Sequence, residues 1–174
     1  ERENLFLNGS VIPTPELAAA AKDLMLGQRL VRNGIALAAY AEGWPDPLSN
    51  YGRFRDIEFK GEITIIKNLW DLFTLNDRVM RAQYKLITHG RKSAIPSTSN
   101  KIIAPENVFI ESGARMECAT INATGGPVYI GKDSEIMEGC LIRGPFSLGE
   151  GSTLKMGARI YGATTIGPYC KVGG

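Results

Sequence analysis

The chain reads as an α/β segment followed by an all-β left-handed parallel β-helix built from hexapeptide repeats. Three observations point to this fold class. The second half carries a six-residue aliphatic period, glycines recur near the turns of that period, and the first half sets one capped helical pattern beside short apolar runs of strand length.

Counting in sixes from Ile130 gives Ile130, Ile136, Ile142, Leu148, Leu154, Ile160, Ile166 and Val172, eight aliphatic residues without a miss. A period of six fits neither an amphipathic helix nor a coiled-coil seam. It fits a strand plus a turn, three of which close one triangular coil with the aliphatic side chain pointing inward. Gly131, Gly139, Gly149 and Gly157 fall near the corners, where tight turning needs positive φ or room for the next coil. Since one coil has no core of its own, about three must stack before the array is stable. Ile110 and Met116 keep the spacing upstream, and Asn122–Tyr129 then inserts two extra residues around Thr124-Gly125-Gly126-Pro127. Residues 103–129 read as the opening coil with a bulged corner; the alternative is an ordinary β-hairpin across Gly125-Gly126.

In the first half, Thr14 is placed to cap a helix with Pro15 at its first position and Leu17, Ala20, Ala21, Leu24 and Met25 on one face. Ile35–Tyr40 and Ile63–Ile66 read as strands, and Gly43-Trp44-Pro45-Asp46-Pro47 as a loop. A second helix starts near Asn68, carries Leu69, Leu72, Phe73, Asn76, Val79 and Met80 at helical spacing, and runs toward Tyr84. The polar stretch THGRKSAIPSTSNK, residues 88–101, reads as a linker between a first domain at 1–87 and the β-helix at 102–174.

Composition narrows the function classes. Twenty Lys and Arg against 18 Asp and Glu leave a charge of +2, too balanced for nucleic-acid or membrane-surface binding. A small molecule or a protein is the expected partner. Cys118, Cys140 and Cys170 form no CxxC pair, which argues against a disulfide framework or a thiolate zinc site and for a reducing cytoplasm. All three are expected as small packed side chains in the coils. No run of 18 apolar residues or leader pattern stands in the sequence. The chain starts without Met and stops in mid-repeat, so an internal slice of a longer protein is expected.

Ile65-Ile66-Lys67-Asn68-Leu69-Trp70-Asp71-Leu72-Phe73, Asn76-Asp77, Gly90-Arg91 and Glu106–Ala114, followed by the hexads, resemble the GlmU-like bifunctional family, in which a sugar-1-phosphate nucleotidyltransferase is fused to a hexapeptide-repeat acyltransferase. The divergent bacterial branch is the nearer likeness. The resemblance implies that residues 1–87 close a doubly wound nucleotidyltransferase domain and that residue 102 onward opens the β-helix. It also implies a sugar phosphate or nucleotide sugar as substrate, Mg²⁺ and acetyl-CoA as cofactors of the full-length protein, and a homotrimer. The product would be a sugar nucleotide of the UDP-N-acetylglucosamine type, with this segment alone inactive. A degenerate sugar-nucleotide-binding or trimerising scaffold is the alternative.

By the same resemblance, Asn8 and Gly9 sit where relatives place a Gly-Asp pair beside the nucleotide. Here Ser10 stands in place of the acid, and a neutral hydroxyl is a poor ligand for a hard cation. Asp71, after Trp70, matches the acid that follows Trp in related thymidylyltransferases and is the candidate metal ligand. The plainer role for it is a first-turn acid that favours the helix dipole. No catalytic residue is assigned. The acyl transfer would need a general base, commonly a coil histidine, and the single histidine, His89, falls in the linker. Arg143, Lys155 and Arg159 are expected on the β-helix exterior.

Overall fold

The computed structural model describes residues 3–43 and 54–173 and divides into two compact units, one ending at Leu69 and one starting at Trp70. The loop expected at Gly43-Trp44-Pro45-Asp46-Pro47 lies, from Trp44 on, outside the described residues.

The first unit is a small α/β layer. Strand β1 (Glu3–Leu7) leads into helix α1 (Pro15–Lys22), and β2 (Gln28–Arg32), β3 (Ile35–Glu42) and β4 (Arg55–Glu58) complete a mixed sheet in the order β1-β3-β2-β4. The Thr14 side chain accepts from the Leu17 amide, with Pro15 opening the first turn as its sequence position predicts. The helix ends three residues earlier than the periodicity predicts. Leu24 stays buried just beyond it, but Met25 is exposed. The β2–β3 hairpin turns on Asn33-Gly34, both at positive φ. A two-residue turn of that hand suits the twist of paired strands. Leu17, Ala21, Leu30, Leu37 and Phe59 form the core between helix and sheet. The run Ile63–Ile66 makes no strand. It contributes one antiparallel bridge, Val11 to Ile65, flanked by bonds from the Ile12 amide to the Thr64 carbonyl and from the Ile66 amide to the Ser10 carbonyl.

The second unit starts with two helices where the sequence predicts one. Helix α2 (Asp71–Thr74) and helix α3 (Asn76–Thr88) break at Leu75. Of the residues that the sequence sets at helical spacing, Leu72 and Phe73 are exposed, whereas Met80 is buried. Twelve short strands follow: β5 (Lys101–Ile103), β6 (Val108–Ile110), β7 (Arg115–Met116), β8 (Thr120–Asn122), β9 (Val128–Ile130), β10 (Glu135–Ile136), β11 (Leu141–Arg143), β12 (Phe146–Leu148), β13 (Thr153–Leu154), β14 (Arg159–Ile160), β15 (Thr164–Ile166) and β16 (Lys171–Val172). They stack into three parallel four-stranded sheets, β6-β9-β12-β15, β7-β10-β13-β16 and β5-β8-β11-β14. The fold class is therefore an α/β segment followed by a parallel β-helix of hexads.

Register carries the hexads directly into the core. Ile110, Ile130, Leu148 and Ile166 form one column, and Met116, Ile136, Leu154 and Val172 a second. The third is Ile102, Ile121, Ile142 and Ile160. Ile130, Leu148 and Leu154 are fully buried. The third column corrects the expected register of the opening coil: Ile121 points inward, and Asn122 instead receives the Thr124 amide and hydroxyl on its side-chain oxygen. An aliphatic side chain beats an amide for the apolar interior. Parallel pairing of β9 with both β6 and β12 excludes the hairpin across Gly125-Gly126.

Coils approach closely at the first corner. A Cβ on Gly149 would lie 2.5 Å from the Gly167 carbonyl carbon, so only glycine fits there. Cys140 is fully buried in the core, but Cys118 and Cys170 are exposed, contrary to the expected packing of all three. Cys118 adopts φ 51° at the corner where the next coils place Gly139 and Gly157, and a left-handed corner turns its side chain away from the prism interior.

Residues 88–101, expected as a linker, lie along the opening coil. Ala94 donates its amide to the Ile110 carbonyl, and the Ser93 hydroxyl accepts from the Ile110 amide. Helix α3 packs on the outer side of the β6-β9-β12-β15 sheet. There Asn76 donates to the Ala163 carbonyl and accepts from the Thr165 hydroxyl.

Candidate functional site

Strand β1 ends at Leu7, and the chain turns away from the sheet at Asn8-Gly9-Ser10. The Asn8 side chain builds this turn. Its amide nitrogen donates to the Ala36 carbonyl at 2.8 Å, while its oxygen accepts from the Ser10 amide at 3.0 Å and the Ser10 hydroxyl at 2.7 Å. An Asx turn of this kind is a common loop device. The turn forms the rim of a cleft of about 230 Å³ between the start of α1 and strand β3. The walls are apolar, with Val11, Leu17, Ala21 and Leu37 among them, and Asn8 and Gly9 supply the polar lining. A Cβ on Gly9 would meet nothing within 4 Å, so its backbone is open to an approaching group.

Asn8 and Gly9, which the family resemblance implies for nucleotide contact, line this cleft. The Asn8 amide has a different task from direct contact, since its nitrogen is engaged by β3 and its oxygen by Ser10. No carboxylate lines the cleft, and the Ser10 hydroxyl is spent on Asn8. A hard cation prefers several charged or carbonyl oxygens, so the turn by itself is a poor Mg²⁺ site. Asp71 lies in the other compact unit, half-buried at the first position of α2. Among the described residues, no three His, Cys, Asp or Glu side chains converge as a metal-binding group.

A charged cluster lies in the second unit. Glu111 accepts from the Tyr129 hydroxyl and from Arg91, both at 2.6 Å, and Arg91 sits 5.1 Å over the Phe109 ring, itself stacked on Tyr129. Burial raises the Glu111 pKa, but bonds from Tyr129 and Arg91 outweigh it and leave the carboxyl below its ordinary value. Burial and the adjacent carboxylate push Tyr129 up to about 12. Tyr129 is therefore a neutral donor. The cluster joins Gly90-Arg91 to Glu106–Ala114, two of the motifs behind the family resemblance, so their shared role here is structural.

A second concavity, about 420 Å³, lies between Ala94–Ser97 and the β7-β10-β13 face, with Arg115, Glu117, Glu135, Met137 and Met156 in its lining. It contains no histidine. His89 is exposed at the end of α3, and Arg143, Lys155 and Arg159 are exposed on the coils, the exterior position expected of them. Sequence reasoning passed over the pairing of buried Arg29 with Asp56. The parallel pairing of β2 with β4, which sets Arg29 opposite Asp56, brings the two together.

The described residues form an α/β unit with a polar-rimmed apolar cleft and a parallel β-helix of hexads that follows it in the chain. Residues 1–92 match the sugar nucleotidyl transferase family, and the chain belongs to that family. No curated protein matches the chain. The matched span runs past Leu69 and includes α3, so the family's sequence boundary and the packing boundary differ.

No helix among the described residues is long and apolar enough to cross a membrane.

Proposed function

We propose that this chain belongs to a bifunctional protein that joins nucleotidyl transfer onto a sugar 1-phosphate with acyl transfer, yielding a sugar nucleotide of the UDP-N-acetylglucosamine type. One observation carries the reading: a sugar nucleotidyl transferase match over residues 1–92 continues into a β-helix of hexads. In this reading Gly9 offers open backbone to the nucleotide, and Asn8 holds the turn in shape. Asp71 is the proposed carboxylate ligand of Mg²⁺, whose role when bound is to neutralise phosphate charge. The described residues give the ion no completed donor set, so no step is assigned through it. Acetyl-CoA is the proposed acyl donor; the coils described here supply no histidine as general base. Flat prism faces favour a homotrimer.

The test is an assay of the protein carrying this sequence with a sugar 1-phosphate, nucleoside triphosphate, Mg²⁺ and acetyl-CoA. Pyrophosphate release together with thiol release from acetyl-CoA supports the bifunctional reading. Absence of both, in a folded protein, sinks it.

A second reading is favoured by Ser10, whose hydroxyl bonds Asn8 where relatives carry an acid. In that reading the α/β unit binds a sugar nucleotide without turning it over, and the β-helix assembles copies. Calorimetric binding without pyrophosphate release separates the two. Sedimentation as a monomer would contradict the assembly role.

A further inference from the structure

The opening coil spans 20 residues from Ile110 to Ile130, whereas the following ones advance by 18, from Ile130 to Leu148 and on to Ile166. The surplus is spent on a raised corner, Asn122–Pro127, that is fastened throughout. Asn122 holds the Thr124 amide and hydroxyl, the Gly126 amide donates to the Ala123 carbonyl, and the Gly144 and Phe146 amides donate to the Asn122 and Pro127 carbonyls. Arg81 of α3 clamps the tip. It donates to the Gly125 carbonyl at 2.6 Å while its Nε donates to Asp77. A Cβ on Gly126 would lie 2.8 Å from the Arg81 guanidinium, so the guanidinium rests directly against the Gly126 backbone.

Between this corner, the turn Pro105–Asn107 and one flank of α3 lies a cavity of about 420 Å³. Arg81, Tyr84 and Lys85 line it from the helix, facing Asn107, Thr124 and the backbone of Gly126. No carboxylate lines it. Lys85 has no ion-pair partner among the described residues, and neither does the Tyr84 hydroxyl have a hydrogen-bond partner there. Burial raises the Tyr84 pKa. Arg81 and Lys85 stand four residues apart on one helix face, a spacing at which like charges repel, and Asp77 relieves Arg81 alone. The Asn107 amide already donates to the Ala123 carbonyl and the Thr124 hydroxyl to Asn122, so a ligand that brings negative charge to Lys85 and Arg81, and hydroxyls that donate to the Asn107 and Thr124 side-chain oxygens and meet Tyr84, suits this lining.

We infer that this cavity is a binding site for a small anionic polyol, bearing a phosphate or a carboxylate, in a place separate from the cleft beside Asn8. The walls are a rigid corner and a docked helix, so the site is preformed and ordering costs on binding are small. The site does not depend on the transferase reading, because none of its residues belongs to the Asn8 turn.

The experiment is calorimetric titration of the whole chain with glycerol 3-phosphate, gluconate and neutral glycerol, with the Gly125 and Gly126 amide resonances followed in parallel by NMR. Saturable binding of glycerol 3-phosphate or gluconate, silence with glycerol, and shifts at Gly125 and Gly126 are expected; whichever anion binds more tightly names its source. Lys85→Met, a change at an exposed position, is expected to weaken binding about tenfold, and Lys155→Met to leave it unchanged. The inference is overturned if neither anion binds saturably at millimolar concentration, or if the shifts fall at Asn8 and Gly9. Equal binding by wild type and Lys85→Met overturns it as well.

Discussion

The Asn76 side-chain oxygen accepts a hydrogen bond from the Thr165 hydroxyl at 2.9 Å, across 89 residues of sequence. Its amide nitrogen donates to the neighbouring Ala163 carbonyl at 3.0 Å. Asn76 thus ties the first turn of α3 to the last coils of the β-helix. Replacing it with Ala removes two bonds at a half-buried position and is expected to cost about 1–2 kcal/mol. Urea denaturation measures the loss, and hydrogen exchange should show faster amides in 76–88 than in the coils. Unchanged exchange in α3 would mean that the helix holds its place by other contacts.

Met80 carries the apolar share of the same contact and is 7% exposed. A 13-residue helix is marginal alone in water, so α3 owes its stability to this packing. Met80→Ala is expected to destabilise the second unit by about 2 kcal/mol, whereas Leu86→Ala, at an exposed position of the same helix, changes stability by less than about 0.5 kcal/mol. Equal effects in thermal denaturation would refute the assigned face.

These contacts explain where the sequence was and was not readable. The hexads were legible because each strand points one aliphatic side chain into the prism at a fixed position, and all eight take that position. The swap from Asn122 to Ile121 was not legible by counting, since a corner that loses a residue before Ile121 and gains others after it preserves the total insertion. The break at Leu75 has no Pro or Gly to announce it. Ile63–Ile66 has strand composition but, among the described residues, pairs only through the Val11 to Ile65 bridge, a tertiary condition that local pattern does not contain. At the candidate site, position was legible and availability was not: nothing in Asn8-Gly9-Ser10 says that both ends of the Asn8 amide are already bonded.

Depth in the β-helix should set the cost of core truncation. Leu148, fully buried between two coils, is expected to lose about 3 kcal/mol as Leu148→Ala. Val172, only partly buried, is expected to lose less than about 1 kcal/mol as Val172→Ala. Gly149→Ala should cost about 1–3 kcal/mol by forcing neighbouring coils apart. Chemical denaturation of the three variants gives the order directly.

The Glu111 cluster makes stability depend on pH from both sides. The folded-state pKa of Glu111 lies below its ordinary value of 4.5, so its contribution is present above 4.5 and is lost as pH falls through the lowered value. Tyr129 moves the other way, from 10.0 to about 12. Its contribution is complete below pH 10 and is lost as pH rises toward 12. Urea denaturation from pH 7 down to 3 should show an acid-side loss that is smaller in Glu111→Gln. Tyr129→Phe should flatten the alkaline limb. An acid limb identical in wild type and Glu111→Gln would show that other carboxylates carry it.

Both readings of function share one claim, that the unit around Asn8 and Gly9 recognises a sugar nucleotide. Calorimetric titration of the protein carrying this sequence with UDP-N-acetylglucosamine and Mg²⁺ tests it most directly, alongside Gly9→Val, which places a branched side chain where open backbone now stands. Saturable binding by the wild type, weakened about tenfold or more in a folded Gly9→Val protein, is the expected result. No binding by the wild type, or equal binding by the two, would contradict the account.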